Sequence, residues 1–258
     1  MSHYKIKHLN KTLLAFSIIG LLSGCNLSNN EKNEAEFTKT LQSKNRSQVD
    51  KNKDIGRKPQ QVMQFFDIKP GMTVLEILSS GGYYTEVLSH RVGDNGKVIA
   101  QNNKFILEVF EGRFAKEFEK RTANNKLPNV EHYITEFGHF NLKQEVDVAT
   151  IVLNYHDMYS NMSKEKRLKV LMQIKTALKP GGILGIIDME SAMMEHQPQL
   201  HRIHHQHVLN DLNQAGFILD AQANFLKNDQ DDHSKIVFDP SVRGKTDRFV
   251  FRFKKPIS

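Results

Sequence analysis

A mixed α/β fold around a mostly parallel sheet is what this sequence predicts, and three observations predict it. Strand-like and helix-like segments alternate from about residue 55 to the end. The connections between them are short and carry glycine or proline. The length, 258 residues, suits one such domain preceded by an export segment. With 39% hydrophobic and 25% charged residues, the composition is that of a globular protein and not of a disordered or fibrous one.

The amino-terminal end comes first. Lys5, Lys7 and Lys11 form a basic stretch, Thr12 to Leu22 is apolar but too short to span a bilayer as a mature helix, and Leu22-Ser23-Gly24-Cys25 closes it. This pattern resembles the bacterial lipoprotein signal. It implies a signal peptide over residues 1–24, a lipid on Cys25, and export. Asn26, in place of the Asp associated with inner-membrane retention, implies an outer-membrane anchor facing the periplasm. Cys25 is the only cysteine, so an internal disulfide and a thiolate metal cage are both excluded. Residues 25–53 are rich in Asn, Lys, Glu, Gln and Ser, and Leu27, Phe37, Leu41 and Val49 keep no period. They read as a flexible lipidated tether, with a short docking helix at Phe37 to Leu41.

The folded domain is assigned to residues 54–258. Arg57-Lys58-Pro59 opens a helix with Val62, Phe65 and Phe66 on one face. Lys69-Pro70-Gly71 turns into the β-rich run Thr73 to Leu78. After Ser79-Ser80-Gly81-Gly82 a helix runs from Tyr83 to Val92, and then come a strand, Lys97 to Gln101, and a long helix, Lys104 to Arg121. Strands follow at Val130 to Thr135 and Val146 to Leu153. Leu168, Leu171, Ile174 and Leu178 mark a helix ended by Lys179-Pro180-Gly181-Gly182. Ile183 to Asp188 is a fifth strand, Val208 to Ala215 a helix, and the last strands lie near Phe217 to Phe225 and Arg248 to Phe253.

In a parallel sheet built this way ligands sit beyond the carboxyl ends of the strands. The loops there carry the motifs. Val74-Leu-Glu-Ile-Leu-Ser-Ser-Gly-Gly-Tyr-Tyr-Thr85 places an acid on the first strand ahead of a glycine turn into a helix, and Pro70-Gly71-Met72, Lys179-Pro-Gly-Gly182 and Ala215-Gly-Phe217 precede later strands. These segments resemble class I S-adenosyl-L-methionine-dependent methyltransferases. Gly-Gly-Tyr-Tyr-Thr-Glu86, Asn154-Tyr-His-Asp157 and Phe238-Asp-Pro-Ser-Val-Arg-Gly-Lys-Thr-Asp-Arg-Phe249 extend the likeness to a subgroup of exported bacterial methyltransferases, from Arg57 to Pro256. The resemblance implies a Rossmann-like, seven-stranded sheet with an antiparallel last strand and S-adenosyl-L-methionine as cofactor.

It also implies site residues. Glu76 is the strand acid, Ser79, Ser80, Gly81 and Gly82 form the cofactor turn, Asn102 meets the ribose, Glu136 the adenine, and Asn154 the cofactor's amino group. His156 and Asp157 follow the fourth strand, where the acceptor is met; His156 is the natural base near neutral pH, and Asp157 orients it or acts alone. Capping of the following helix is the bland alternative for both. Leu78 and Ser80 stand where two of the three motif glycines usually fall, and Gln101-Asn102-Asn103 replaces the usual ribose-binding acid, an amide giving a weaker hydrogen bond than a carboxylate.

The charge narrows the partners. Of the formal +7, three charges belong to Lys5, Lys7 and Lys11, leaving +4 on the exported part. With no basic run, nucleic acid is not an expected partner. A small-molecule or envelope-associated methyl acceptor is. His201 and His205 have the spacing of two imidazoles on one helix face, but without an intervening acid no metal site is assigned. Asp229 to His233 reads as a surface loop, and Arg243 to Arg248 as a solvated turn that otherwise binds an anionic acceptor. Three functions compete: a methyltransferase; a catalytically degenerate periplasmic binding or scaffold lipoprotein, since a charged sulfonium made in the cytoplasm does not cross membranes unaided; and a histidine-based metal carrier.

Overall fold

The computed structural model describes Met1 and residues 28–257. The signal segment and the expected lipid site at Cys25 lie outside the described residues. The strands are β1 (Thr73–Ile77), β2 (Lys97–Asn102), β3 (Val130–Ile134), β4 (Val146–Val152), β5 (Leu178–Met189), β6 (Ile218–Ala223) and β7 (Arg248–Lys254). They form one sheet in the order β3-β2-β1-β4-β5-β7-β6. Neighbours from β3 to β5 pair parallel, and β7 runs antiparallel to both β5 and β6. The expected Rossmann-like sheet is therefore present. The chain reverses its direction of travel between β1 and β4, which makes the carboxyl ends of those two strands the switch point where a ligand crevice opens.

Eight helices accompany the sheet in the described residues: α1 (Asn29–Leu41), α2 (Gln48–Arg57), α3 (Pro59–Phe65), α4 (Tyr83–Val92), α5 (Lys104–Thr122), α6 (Tyr155–Asn161), α7 (Lys164–Ala177) and α8 (His205–Gln214). Alternation along the strands sends Leu75, Ile77, Ile151 and Ile186 to one face, beneath Met158 of α6, Ile174 of α7 and Leu212 of α8. Val74, Val148 and Ile187 point the other way, beneath Met63 of α3, Leu88 of α4 and Phe37 of α1. Both faces are thus covered, as a mostly parallel sheet requires.

The segment read as a tether is folded. Ser28 caps α1 through a reciprocal box with Glu31, and Ser47 caps α2. Phe37 and Leu41 are buried. Arg46 forks onto Asp54 at 2.6 and 3.1 Å, Arg91 of α4 pairs with Glu34, and Arg121 of α5 reaches Asp50 at 2.9 Å. Ion pairs with partners 57 and 71 positions further along supplement two apolar contacts, so no local hydrophobic period announces these helices.

Two further expectations need correction. The helix from Lys104 is interrupted at Val109–Gly112, where Phe110 and Glu111 take positive φ, and Phe105 and Phe110 are exposed. The loop Asp229 to His233 is not wholly superficial, because Asp231 is buried and receives both terminal nitrogens of Arg202 at 2.9 Å.

Candidate active site

The turn from β1 into α4 is the floor of the crevice. Leu78 has φ +52°, Ser80 φ +51° and Gly82 φ +79°. The main chain therefore adopts the left-handed turn that glycines usually serve, at a cost of about 1–2 kcal/mol for each L-residue held there. Packing and hydrogen bonds compensate. Leu78 N–H donates to Gln101 Oε1 at 3.1 Å, Ser80 N–H to Asn102 Oδ1 at 2.8 Å, and Asn102 Nδ2 to Ser79 Oγ at 2.8 Å. Arg121 donates from Nε to the carbonyl of Gly81 at 3.1 Å. A methyl group at Gly81 would run into the Glu117 carboxylate, and one at Gly82 would lie 3.0 Å from the Phe118 ring. Gly82, with its positive φ, is the more demanding of the two, because the second half of α5 packs directly on the turn.

Two of the expected cofactor ligands are engaged within the protein. Asn102 is 0% exposed and its amide is used up on Ser79, Ser80 and His132. It fastens the turn, because an amide that buries itself must satisfy both its donor and its acceptor. Glu136 is exposed, and its Oε1 accepts from the N–H of Lys104 at 2.9 Å; it tethers the start of α5. Leu78, which stands at a usual motif-glycine position, is buried in the core against the α6 side of the sheet.

Glu76 lies behind the turn, on the α4 face of β1. Its Oε2 accepts from Thr85 Oγ1 at 2.5 Å. Burial pushes its pKa up to about 7, against the opposing pull of the Thr85 bond and of Arg121 and Arg57. In register beside it on β4, the buried Thr150 hydroxyl has no partner among the described residues.

The end of β4 supplies the other half. Asn154 spans the crevice, donating from Nδ2 to the carbonyl of Leu78 at 3.1 Å and to that of Val152 at 2.8 Å. Tyr155 then opens α6 and anchors it, its hydroxyl donating to Asp211 at 3.0 Å. His156 is only 3% exposed. Its main-chain N–H donates to Asp188 Oδ2 at 2.8 Å, and its ring Nδ1 meets Asp188 Oδ1 at the same distance. A carboxylate at Nδ1 places the ring proton there and leaves Nε2 as the free lone pair. Burial alone would lower the His156 pKa, but the Asp188 charge, its hydrogen bond and Asp157 outweigh burial and raise it.

Asp188, the penultimate residue of β5 and fully buried, carries no signal in the sequence beyond its place near the carboxyl end of a strand. His156 Nε2 lies 3.4 Å from Asp157 Oδ1, and His201 Nδ1 lies 3.3 Å from the same oxygen. His201 and His205 do not share a helix face. His201 takes φ +52° after a short 3-10 turn, whereas His205 opens α8 and pairs with Glu190 at 3.0 Å.

Two guanidinium groups lie close to Tyr84, just after the turn. Arg57 lies 4.3 Å from the Tyr83 ring centroid, and Arg248 donates to the carbonyl of Gly56 at 3.0 Å and to Thr246 Oγ1 at 3.1 Å. Arg46, Arg91, Arg121, Arg167, Arg202 and Arg252 each reach a carboxylate. Among the described residues Arg57 and Arg248 do not, although Arg248 is 7% exposed. Burial, the largest influence on it, lowers the Arg248 pKa. The stretch expected to be a solvated turn is therefore buried from Thr246 onward.

Comparison with known proteins agrees with the geometry. Residues 37–116 match the profile of the protein-L-isoaspartate(D-aspartate) O-methyltransferase family. Among solved structures, the chain is similar to an S-adenosylmethionine-dependent methyltransferase from Aquifex aeolicus (TM-score 0.59, 21% identity, 86% of this chain and 97% of that one). It is similar also to S-adenosylmethionine-dependent methyltransferases from Methanosarcina mazei (TM-score 0.52, 12% identity, 76% and 98%). A third likeness is to a possible exported protein from Bordetella parapertussis (TM-score 0.51, 12% identity, 79% and 67%). No curated protein matches the chain. The fold is that of the S-adenosylmethionine-dependent methyltransferases.

Proposed function

We propose that this chain transfers the methyl group of S-adenosyl-L-methionine to an acceptor at the bacterial cell envelope, anchored by a lipid on Cys25 in the outer membrane and facing the periplasm. One observation carries the methyl-transfer reading. Leu78 and Ser80 keep the positive φ of the glycines they replace, so the turn retains the main-chain path that lets the methionine part of the cofactor lie against it. The lipoprotein part of the reading is supported by Leu22 to Cys25 and the basic stretch before it.

The remaining side chains divide the work. Asn154, already spanning Leu78 and Val152, lies where the cofactor's amino group would come. His156 and Asp157 meet the acceptor and ease its proton away, with Asp188 fixing the His156 ring. Arg57 and Arg248, unpaired among the described residues, supply positive charge for an anionic group on the acceptor. The matched O-methyltransferase family, named for L-isoaspartate and D-aspartate, is in keeping with such an acceptor. The methyl group moves by in-line displacement, so alignment and exclusion of water provide much of the acceleration.

A second reading, a binding or scaffold lipoprotein that kept the fold without the chemistry, is favoured by the spending of Asn102 on the turn and of Glu136 on Lys104. Calorimetric titration of the full chain with S-adenosyl-L-methionine and with its demethylated product separates the two. Saturable binding of both supports methyl transfer. Affinity weaker than about millimolar, near 4 kcal/mol of binding, supports the scaffold.

A further inference from the structure

Asp157 stands between two imidazoles without hydrogen-bonding to either. Its Oδ1 is 3.4 Å from His156 Nε2 and 3.3 Å from His201 Nδ1. The histidine–carboxylate pairs of this molecule that do hydrogen-bond are shorter: 2.8 Å for His156–Asp188 and 3.0 Å for both His205–Glu190 and His233–Asp247. A separation that is long for a hydrogen bond is the right one for ligands of a shared ion, because bonds of about 2.0–2.1 Å at tetrahedral angles set neighbouring donor atoms about 3.3 Å apart.

We propose that His156, Asp157 and His201 hold one divalent transition-metal ion of zinc type. Their donor atoms lie within 4.8 Å of one another. Two imidazole nitrogens and one carboxylate oxygen are a set that zinc accepts, with a fourth position left for water or an acceptor oxygen. Asp188 holds Nδ1 of His156 and so presents Nε2 as the donor, the arrangement in which a carboxylate orients a ligating histidine. His201 is held in a left-handed conformation with its ring 4.9 Å from Phe238 and 5.5 Å from His156, and strain of that kind persists where the surroundings impose it. His156 is buried while Asp157 and His201 are partly open, so the trio has one side towards solvent.

The neighbouring cluster of Glu190, His204 and His205 lacks these properties. His204 Nδ1 accepts from the N–H of Gln206, and Glu190 already hydrogen-bonds to the His205 ring and main chain. No local spacing in the sequence reveals this trio, because His156 and Asp157 lie in the first turn of α6 while His201 follows 44 positions after Asp157. The site stands independently of methyl transfer; where both operate, His156 and Asp157 act on the acceptor through the ion.

The test uses the full chain, purified in detergent and stripped with a chelator, and titrated with Zn²⁺ by calorimetry and with Co²⁺ by visible absorption. One equivalent should bind, and cobalt should give the intense bands of four-coordinate geometry. His201→Ala and Asp157→Asn should each weaken Zn²⁺ binding by at least about 100-fold, and Asp188→Asn by about 10–100-fold. His205→Ala should leave it unchanged, and metal-free His201→Ala should melt like the parent. The absence of a saturable equivalent, binding undiminished in His201→Ala, or loss of binding in His205→Ala would each overturn the site. None of these readouts involves S-adenosylmethionine, so failure here leaves the methyl-transfer reading to its own titration.

Discussion

Asn154 joins the two halves of the crevice by donating its side-chain amide to the main-chain carbonyl of Leu78, 3.1 Å away. Replacing Asn154 with Ala leaves that carbonyl without its cross-crevice partner, at a cost of about 1–3 kcal/mol. The β1–α4 turn should loosen, and S-adenosylmethionine affinity should fall with stability. Chemical denaturation and calorimetry on the same variant check both; unchanged affinity would separate the turn from the cofactor.

Restoring a motif glycine at Ser80 should help the fold. Ser80 sits at φ +51°, and glycine removes that strain while giving up a hydrogen bond to Leu78 and some unfolded-state restriction. The expected outcome of Ser80→Gly is a gain of up to about 1 kcal/mol, read as a raised denaturation midpoint. Gly82→Ala moves the other way, since φ +79° and the Phe118 ring at 3.0 Å both oppose a methyl group. A loss of about 1–2 kcal/mol is expected.

Stability should fall as pH rises from about 4.5 to about 7 because of Glu76. Its ordinary pKa is 4.5, and in the folded chain it is about 7. Between those values the folded state holds a proton that the unfolded state has released, so the slope of stability against pH is negative there. The contribution is complete below about pH 4.5 and is lost on passing pH 7, amounting to about 3 kcal/mol. Glu76→Gln should flatten this decline; a decline of the same steepness in the variant would place its origin elsewhere.

Two buried arginines should respond unequally to the same substitution. Arg202→Met strands Asp231, which receives both guanidinium nitrogens at 2.9 Å, and should cost about 3–5 kcal/mol. Arg248→Met strands no carboxylate among the described residues, only the carbonyl of Gly56 and the hydroxyl of Thr246. Its cost should stay near 1 kcal/mol, while turnover of an anionic acceptor should suffer through KM.

Phe37→Ala tests the folded amino-terminal segment. Phe37 is buried against the α4 side of the core, and removing its ring should destabilise the whole domain by about 3 kcal/mol or more. A flexible tether would show no change in the cooperative melt.

Much of the architecture could be read directly because it is local. Val74 to Ile77 and Ile183 to Asp188 are apolar runs bounded by glycine and proline, and the helix from Tyr83 to Val92 follows a glycine pair that can hardly continue a strand. His156 and Asp157 were legible for a related reason: they follow a strand at its carboxyl end. What escaped is held by long-range electrostatics. Glu34 and Asp50 give α1 and α2 their partners on α4 and α5, and nothing in residues 25–53 reveals those partners. The use of Asn102 within the turn was not legible, because its partners Ser80 and Ser79 lie 22 and 23 positions away in the sequence. Asp188 and Arg248 lie in strands, where apolar neighbours hid them.

The early start of α1 also has a consequence for where the protein can work. With Cys25 acylated, only Asn26, Leu27 and Ser28 separate the lipid from Asn29, a leash of about 10 Å at full stretch. The globular body would then rest on the headgroups instead of swinging freely above them. Diffusion of the acceptor would be two-dimensional, favouring molecules that are themselves embedded in, or adsorbed to, the same leaflet.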